Sequence, residues 1–317
     1  MGGYVIKIYN FNEYLSSGIS YGGHGGSKKG IIINGEKWFL KYPKSTKSMQ
    51  NVNLSYTTMP ISEYLGSQIY KTIGIEVHET KLGITNDKIV VASKDFLNST
   101  EMILDYNSIK NEYDEIVEKK LEILSSSSLM SNQTDLEEVL VLMENNPYFK
   151  KIPNLKIRFW DMFIIDAFIN NNDRNEGNWG LILDKANGNL RITPVFDNGA
   201  SFYNKSSNEK LNELLNDEYK FKQAVYESSI SVFRVNGKLI NPLKYIESLE
   251  NEDCNQAILR IVPNINLSEI SKIFNEVPEE IDGIQVLSKK QKDLYLKSLE
   301  YRYNNVLLPI YNKLSSK

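Results

Sequence analysis

Residues 155–170, LKIRFWDMFIIDAFIN, form a nearly unbroken apolar run, which the chain leaves through Asn171-Asn172 and DRNEGN (173–178). Phe159, Trp160, Phe163, Ile164, Ala167 and Phe168 cover most of the circumference of a helix, so this helix is expected to be buried on most sides. Asn170, Asn171 and Asn172 should end it, because their side chains compete for backbone hydrogen bonds. A loop over 173–178, a strand GLILD (180–184), a turn KANGN (185–189) and a strand RITPVF (191–196) follow, and Asp197-Asn198-Gly199 closes the hairpin. Such a hairpin returns the chain to its starting point. Asp173, Asn178 and Asp197 should therefore cluster at the exit of the buried helix.

Composition narrows what such a cluster can do. The 317 residues, long enough for two domains or one in two lobes, include one cysteine, Cys254, and two histidines, His24 and His78. A disulfide framework, a Cys/His metal site and a Cys-His or Ser-His nucleophile are all disfavoured. His24 sits in a glycine loop and His78 in a strand or linker. The formal net charge of −3 gives no reason to expect direct nucleic-acid binding or membrane association. No stretch approaches the roughly 18 apolar residues of a membrane span, and MGGYVIKIYNFNEY lacks the apolar core of a signal peptide. A cytoplasmic location is the expectation, with secretion by a route needing no such signal left open.

Chemistry must then run on Asp, Glu, Asn, Lys and backbone amides. D-x-x-x-x-N followed by a hairpin and a second Asp is the layout used for phosphoryl transfer. Asp173 would orient the attacking hydroxyl and accept its proton, while Asn178 and Asp197 would hold Mg2+ on the phosphates of ATP. Magnesium takes hard oxygen ligands and keeps several waters, so one carboxylate and one amide suffice. D-x-x-x-x-N alone is common, and Asp and Asn also favour plain turns at helix ends. The reading rests on the combination.

The first hundred residues read as strands with one helix. YVIKIYNF (4–11) has strand composition, and Asn34-Gly35 suits a two-residue hairpin turn. In the returning strand EKWFLKYP (36–43), Trp38, Leu40 and Tyr42 share one face, while Phe39 and Lys41 share the other. TMPISEYLGSQIYKTIG (58–74) carries Ile61, Leu65, Ile69 and Ile73 as one helical stripe, with Thr58 as N-cap, Pro60 in the first turn and Gly74 at the end. Asn86-Asp87 marks a second hairpin. Lys41 fits the strand lysine that contacts the α- and β-phosphates, with Glu63 as the helix glutamate that holds it. A plain strand lysine and a first-turn glutamate favoured by the helix dipole are the simpler alternatives.

The glycine loop GGHGGSKKG (22–30) fits neither G-x-x-x-x-G-K-[ST] nor G-x-G-x-x-G. Backbone amides at Gly22, Gly23, Gly25, Gly26 and Ser27 could still cradle phosphates, with Lys28 and Lys29 adding positive charge. A surface hairpin loop explains the glycines equally well, but not their place just before the hairpin bearing Lys41. Backbone groups near Lys94 and Phe96, in VVASKDF (90–96), are candidates for the adenine edge by position alone. From about residue 98 helices are expected, with a polar loop around 125–134. The fold class is α+β: a β-rich N-lobe with one main helix (1–97) and a larger helical C-lobe (98–317). A region from about 205 onward would supply substrate specificity.

Together, YGGHGG, WFLKYP, SEYLGSQI, KIVVASKDF, FWDMFIIDAFINNNDRNEGNWG, PVFDNGASFY and CNQAILRIVPNI resemble the HipA-type serine/threonine kinases, in a short form, across most of residues 20–265. The resemblance implies a two-lobed kinase using ATP and Mg2+ on protein Ser or Thr hydroxyls. It places the base at Asp173, the metal ligands at Asn178 and Asp197, and the phosphate-contacting lysine at Lys41. It further implies autophosphorylation in the glycine loop, with Ser20 and Ser27 as candidates, and an antitoxin-like or host protein partner. Asn175 stands where the family commonly has histidine, which puts the packing of the catalytic loop in question. A pseudokinase that only binds nucleotide or a partner, and a small-molecule phosphotransferase, are the competing readings.

Overall fold

A computed structural model describes residues 5–21, 28–49, 55–111 and 134–316. The glycine-loop positions Gly22, Gly23, Gly25, Gly26 and Ser27, and most of the polar loop expected around 125–134, lie outside the described residues. The N-terminal sheet contains β1 (Tyr9–Asn10), β2 (Ser16–Tyr21), β3 (Lys28–Ile33), β4 (Glu36–Lys41), β5 (Thr80–Thr85) and β6 (Lys88–Lys94). Their order across the sheet is β1-β5-β6-β4-β3-β2, with β1 parallel to β5 and the other pairs antiparallel. Both predicted tight turns form. Asn34 and Gly35 have φ of 51° and 80°, and Asn86 and Asp87 have φ of 49° and 56°, the left-handed pair that matches strand twist. The strand expected over 4–11 is shorter, because the Asn10 side chain accepts from the Asn12 N–H and the chain turns into a short 3-10 helix, Phe11–Glu13.

One face of this sheet buries Phe11, Ile31, Ile33, Trp38 and Leu40 in a small core of its own. The other carries helix α1 (Met59–Ile73), whose Ile61, Leu65, Ile69 and Ile73 are all buried. Pro60 lies in the first turn, and Gly74, at φ 91°, ends the helix in the left-handed region. Thr58 departs from expectation. Its side chain makes no cap bond and lies instead 3.4 Å from the Asn204 carbonyl, tying the start of α1 to the C-terminal region.

Glu101–Asp105, at the start of the region expected to be helical, instead forms strand β7, which pairs antiparallel with β8 (Gly180–Asp184), the expected strand. The hairpin partner β9 (Leu190–Ile192) is shorter than 191–196. Val195 instead forms a parallel bridge with Val77, so the segment before Asp197 runs beside the residues that follow α1. Helix α2 (Leu155–Ile169) is buried along nearly its whole length and ends at Asn170, φ 58°. The remainder is largely helical, with two short hairpins pairing Arg234–Val235 with Lys238–Leu239 and Glu280–Ile281 with Ile284–Gln285. Among the described residues no helix is long and apolar enough to cross a membrane.

Candidate active site

Strand alternation turns Lys41 away from the Trp38–Leu40 core and toward α1. Its Nζ donates to Glu63 Oε2 at 2.9 Å and to Asp197 Oδ1 at 3.0 Å. Lys41 and Glu63 are buried, whereas the Asp197 side chain is 37% exposed. Burial opposes the charge on Lys41, but the two carboxylates outweigh it and raise its pKa. Burial likewise opposes ionisation of Glu63, yet Lys41 and a hydrogen bond to His78 hold its carboxyl well below the usual carboxylate range. The three residues, widely separated in sequence, thus form one ion-paired cluster.

Two glycines make room for it. A Cβ on Gly66 of α1 would sit 2.9 Å from the Asn198 Cβ, and one on Gly199 would sit 2.5 Å from Met59 Cγ and 3.3 Å from Glu63 Oε2. Helix α1 can therefore lie directly against the Asp197-Asn198-Gly199 turn. Asp197 itself adopts φ 62°, a left-handed conformation that Asp tolerates better than most residues.

The loop after α2 places Asp173 at the surface and Asn178 inside. Asn178 Nδ2 donates to the Asp173 carbonyl at 2.6 Å, which turns the Asn178 amide oxygen the other way. Asn175 Nδ2 donates to Asp173 Oδ1 at 2.9 Å, and its Oδ1 accepts from the Gly177 N–H at 3.0 Å. The residue in the usual histidine position thus steadies both the loop and the Asp173 carboxylate.

Arg174, 1% exposed, holds these pieces together. Its Nε and Nη2 grip Asp166 of α2 at 2.8 and 3.0 Å, its Nη1 donates to the carbonyls of Asn178 and Phe196, and its Nη2 reaches Asn198 Oδ1 at 2.6 Å. Asp166 also accepts from the Tyr70 hydroxyl at 2.8 Å and from Asn171 Nδ2 at 3.0 Å. Asn198 Nδ2 donates to Ser67 Oγ at 3.1 Å. One polar network therefore joins α1, α2, the Asp173 loop and the Asp197 turn. Burial works against the Arg174 charge, but Asp166 more than compensates and raises its pKa further.

Reading the sequence missed Arg174, Asp166, Asn198 and His78. A signal existed for Asp166, since a carboxylate in a helix buried all round demands a partner. The nucleotide-side candidates are placed unevenly. Lys28 falls directly across from Lys41 by the β3–β4 register, in which Lys29 faces Leu40. Its Nζ lies 5.5 Å from the centre of the Phe39 ring, and burial, with Lys41 next in effect, lowers its pKa. The Lys94 side chain turns outward to Glu36 at 2.7 Å and Glu79 at 3.4 Å, and its N–H donates to the Glu79 carbonyl. Phe96 packs on Phe196, ring centres 5.8 Å apart, beside Asp197.

A β-sheet with one long helix, joined to a helical region across a Lys–Glu–Asp cluster, is a kinase-like phosphotransferase fold. The serine/threonine-protein kinase CtkA of Helicobacter pylori is 32% identical over 259 residues, which cover 81% of this chain and 75% of that protein. The crystal structure of a Helicobacter pylori proinflammatory kinase CtkA superposes with a TM-score of 0.84 at 27% identity, over 98% of both chains. HipA of Shewanella oneidensis, solved with HipB and operator DNA, matches with a TM-score of 0.53 at 12% identity, over 98% of this chain and 70% of that one, and so shares the fold. No family model matches the chain. The chain belongs to the family of the CtkA serine/threonine-protein kinase.

Proposed function

We propose that the protein is an ATP- and magnesium-dependent serine/threonine protein kinase that also phosphorylates itself. The observation that carries this is the Lys41 bridge between Glu63 and Asp197, set beside the loop bearing Asp173 and Asn178. In this reading residues 1–97 are the nucleotide-covering lobe and 98–317 the lobe that presents the acceptor. Lys41, held by Glu63, positions the α- and β-phosphates, and Lys28 adds charge beside it. Backbone amides of Gly22, Gly23, Gly25, Gly26 and Ser27 cover the phosphates, and the backbone near Lys94 and Phe96 borders the adenine.

The Asp197 carboxylate and the Asn178 amide oxygen are hard donors, which suits magnesium. One carboxylate and one amide would leave the ion's remaining positions to water and the nucleotide phosphates. Bound there, magnesium neutralises charge on the phosphate oxygens. Asp173, with Oδ1 held by Asn175, offers Oδ2 to the acceptor hydroxyl, orients it and takes its proton as the new oxygen–phosphorus bond forms and the bond from the γ-phosphorus to the β,γ-bridging oxygen breaks, releasing ADP. A protein substrate and an antitoxin-like or host partner follow from the family rather than from any recognition motif.

The test is incubation with γ-labelled ATP and magnesium, with and without a generic protein acceptor. Label on the protein or the acceptor supports the reading. ATP binding without any label would overturn it in favour of a pseudokinase or a small-molecule acceptor. Asp197→Ala should weaken ATP binding at least about tenfold in magnesium, yet leave it nearly unchanged in EDTA, as measured by calorimetry. Lys28→Ala should weaken ATP binding several-fold but leave adenosine binding alone. Lys29→Ala, on the opposite face, should change neither.

A further inference from the structure

The second oxygen of Glu63 has a partner outside the established Lys–Glu pair. His78 Nε2 lies 2.8 Å from Glu63 Oε1, and both side chains are fully buried. A carboxylate paired with the Lys41 ammonium can only accept, which assigns the donor role and the proton to Nε2. The other ring nitrogen, Nδ1, is buried with no hydrogen-bond partner among the described residues. The imidazole therefore directs its one observed polar contact at Glu63, in a position where an apolar side chain would avoid the orphaned nitrogen.

The backbone around His78 is tied to the Asp197 side of the site. The His78 N–H donates to the Val195 carbonyl at 3.0 Å, and the Val195 N–H donates to the Glu76 carbonyl at 2.9 Å. Val195 lies two residues before Asp197. A single residue thus grips the helix glutamate by its ring and the segment leading to Asp197 by its main chain.

We infer that His78 is a positioning residue: it fixes the Glu63 carboxylate so that Oε2 faces Lys41, and couples α1 to the Asp197 turn. A carboxylate can rotate about its last bond, and a donor on Oε1 removes that freedom. Without it Lys41 would lose its fixed partner and the phosphates their alignment, so turnover should suffer more than nucleotide binding. This rests on the kinase reading above.

The experiment is a double-mutant cycle read as kcat and KM for ATP, with thermal unfolding alongside. His78→Leu should lower kcat by about 10- to 100-fold with a smaller rise in KM. His78→Gln, whose amide can still donate, should recover most of that loss. In a Glu63→Gln background, His78→Leu should add less than about threefold, since the two residues act as one unit. If the Leu variant does not fold, His78→Asn, polar but too short to reach Glu63, takes its place. The inference is overturned if the folded variant keeps wild-type kcat, or if its full loss persists in the Glu63→Gln background. A wild-type protein that transfers no label overturns the kinase reading itself, and the role of His78 with it.

Discussion

Asp173→Ala is expected to lower kcat by about two to four orders of magnitude while leaving ATP affinity within about twofold, because a general base acts in the chemical step. The geometry favours such a clean separation. Asp173 is exposed and its side chain is hydrogen-bonded to Asn175, whereas Lys41 is paired with Glu63 and Asp197. Removing the carboxylate disturbs one loop hydrogen bond and leaves the Lys41–Glu63–Asp197 cluster untouched. Asp173→Asn, which preserves shape but not basicity, should be equally inactive. Single-turnover phosphoryl transfer beside calorimetric ATP titration decides the matter. A parallel collapse of binding would show Asp173 to be a structural residue of the loop.

Arg174→Met should destabilise the protein by about 3–5 kcal/mol, the cost of leaving a buried carboxylate without its ion-pair partner. Among the described residues, Asp166 would keep only the Tyr70 hydroxyl and the Asn171 amide. Arg174→Lys should not rescue it, since an ammonium cannot grip both Asp166 oxygens and also reach Asn178, Phe196 and Asn198. Pairing Arg174→Met with Asp166→Leu should restore much of the stability, because the uncompensated charge goes too. It should not restore turnover, because the Asp173 loop would still lack its tie to the Asp197 turn. Urea unfolding gives the first comparison and label transfer the second. Equal recovery of both would mean that Arg174 serves stability alone.

Much of the fold was legible because local chemistry settles local structure. Asn34-Gly35 and Asn86-Asp87 tolerate positive φ, so each predicted its hairpin. Ile61, Leu65, Ile69 and Ile73 repeat every four residues, so they predicted the buried face of α1. The strand Glu101–Asp105 was not legible, since its pairing with Gly180–Asp184 depends on a partner distant in the chain. Thr58 failed as a cap for the same reason: Asn204, far away in sequence, supplied a competing contact.

For the candidate site, the sequence by itself determined which residue types were available and where the loops lay. Two histidines and one cysteine left carboxylates, amides and lysines to do the work, and an apolar helix ending in DRNEGN marked where they would gather. Only the tertiary structure decided the pairings. Lys41, Glu63 and Asp197 come from a strand, a helix and a turn, and no periodicity relates them. His78 looked like a strand or linker residue until the crossing of 76–78 with 195 brought it against Glu63. Arg174 sat in plain view beside Asp173, but its role is set by Asp166, Phe196 and Asn198 converging on one buried guanidinium. Hydrogen bonds and ion pairs act over a few ångströms in space, and distance along the chain does not fix distance in the fold.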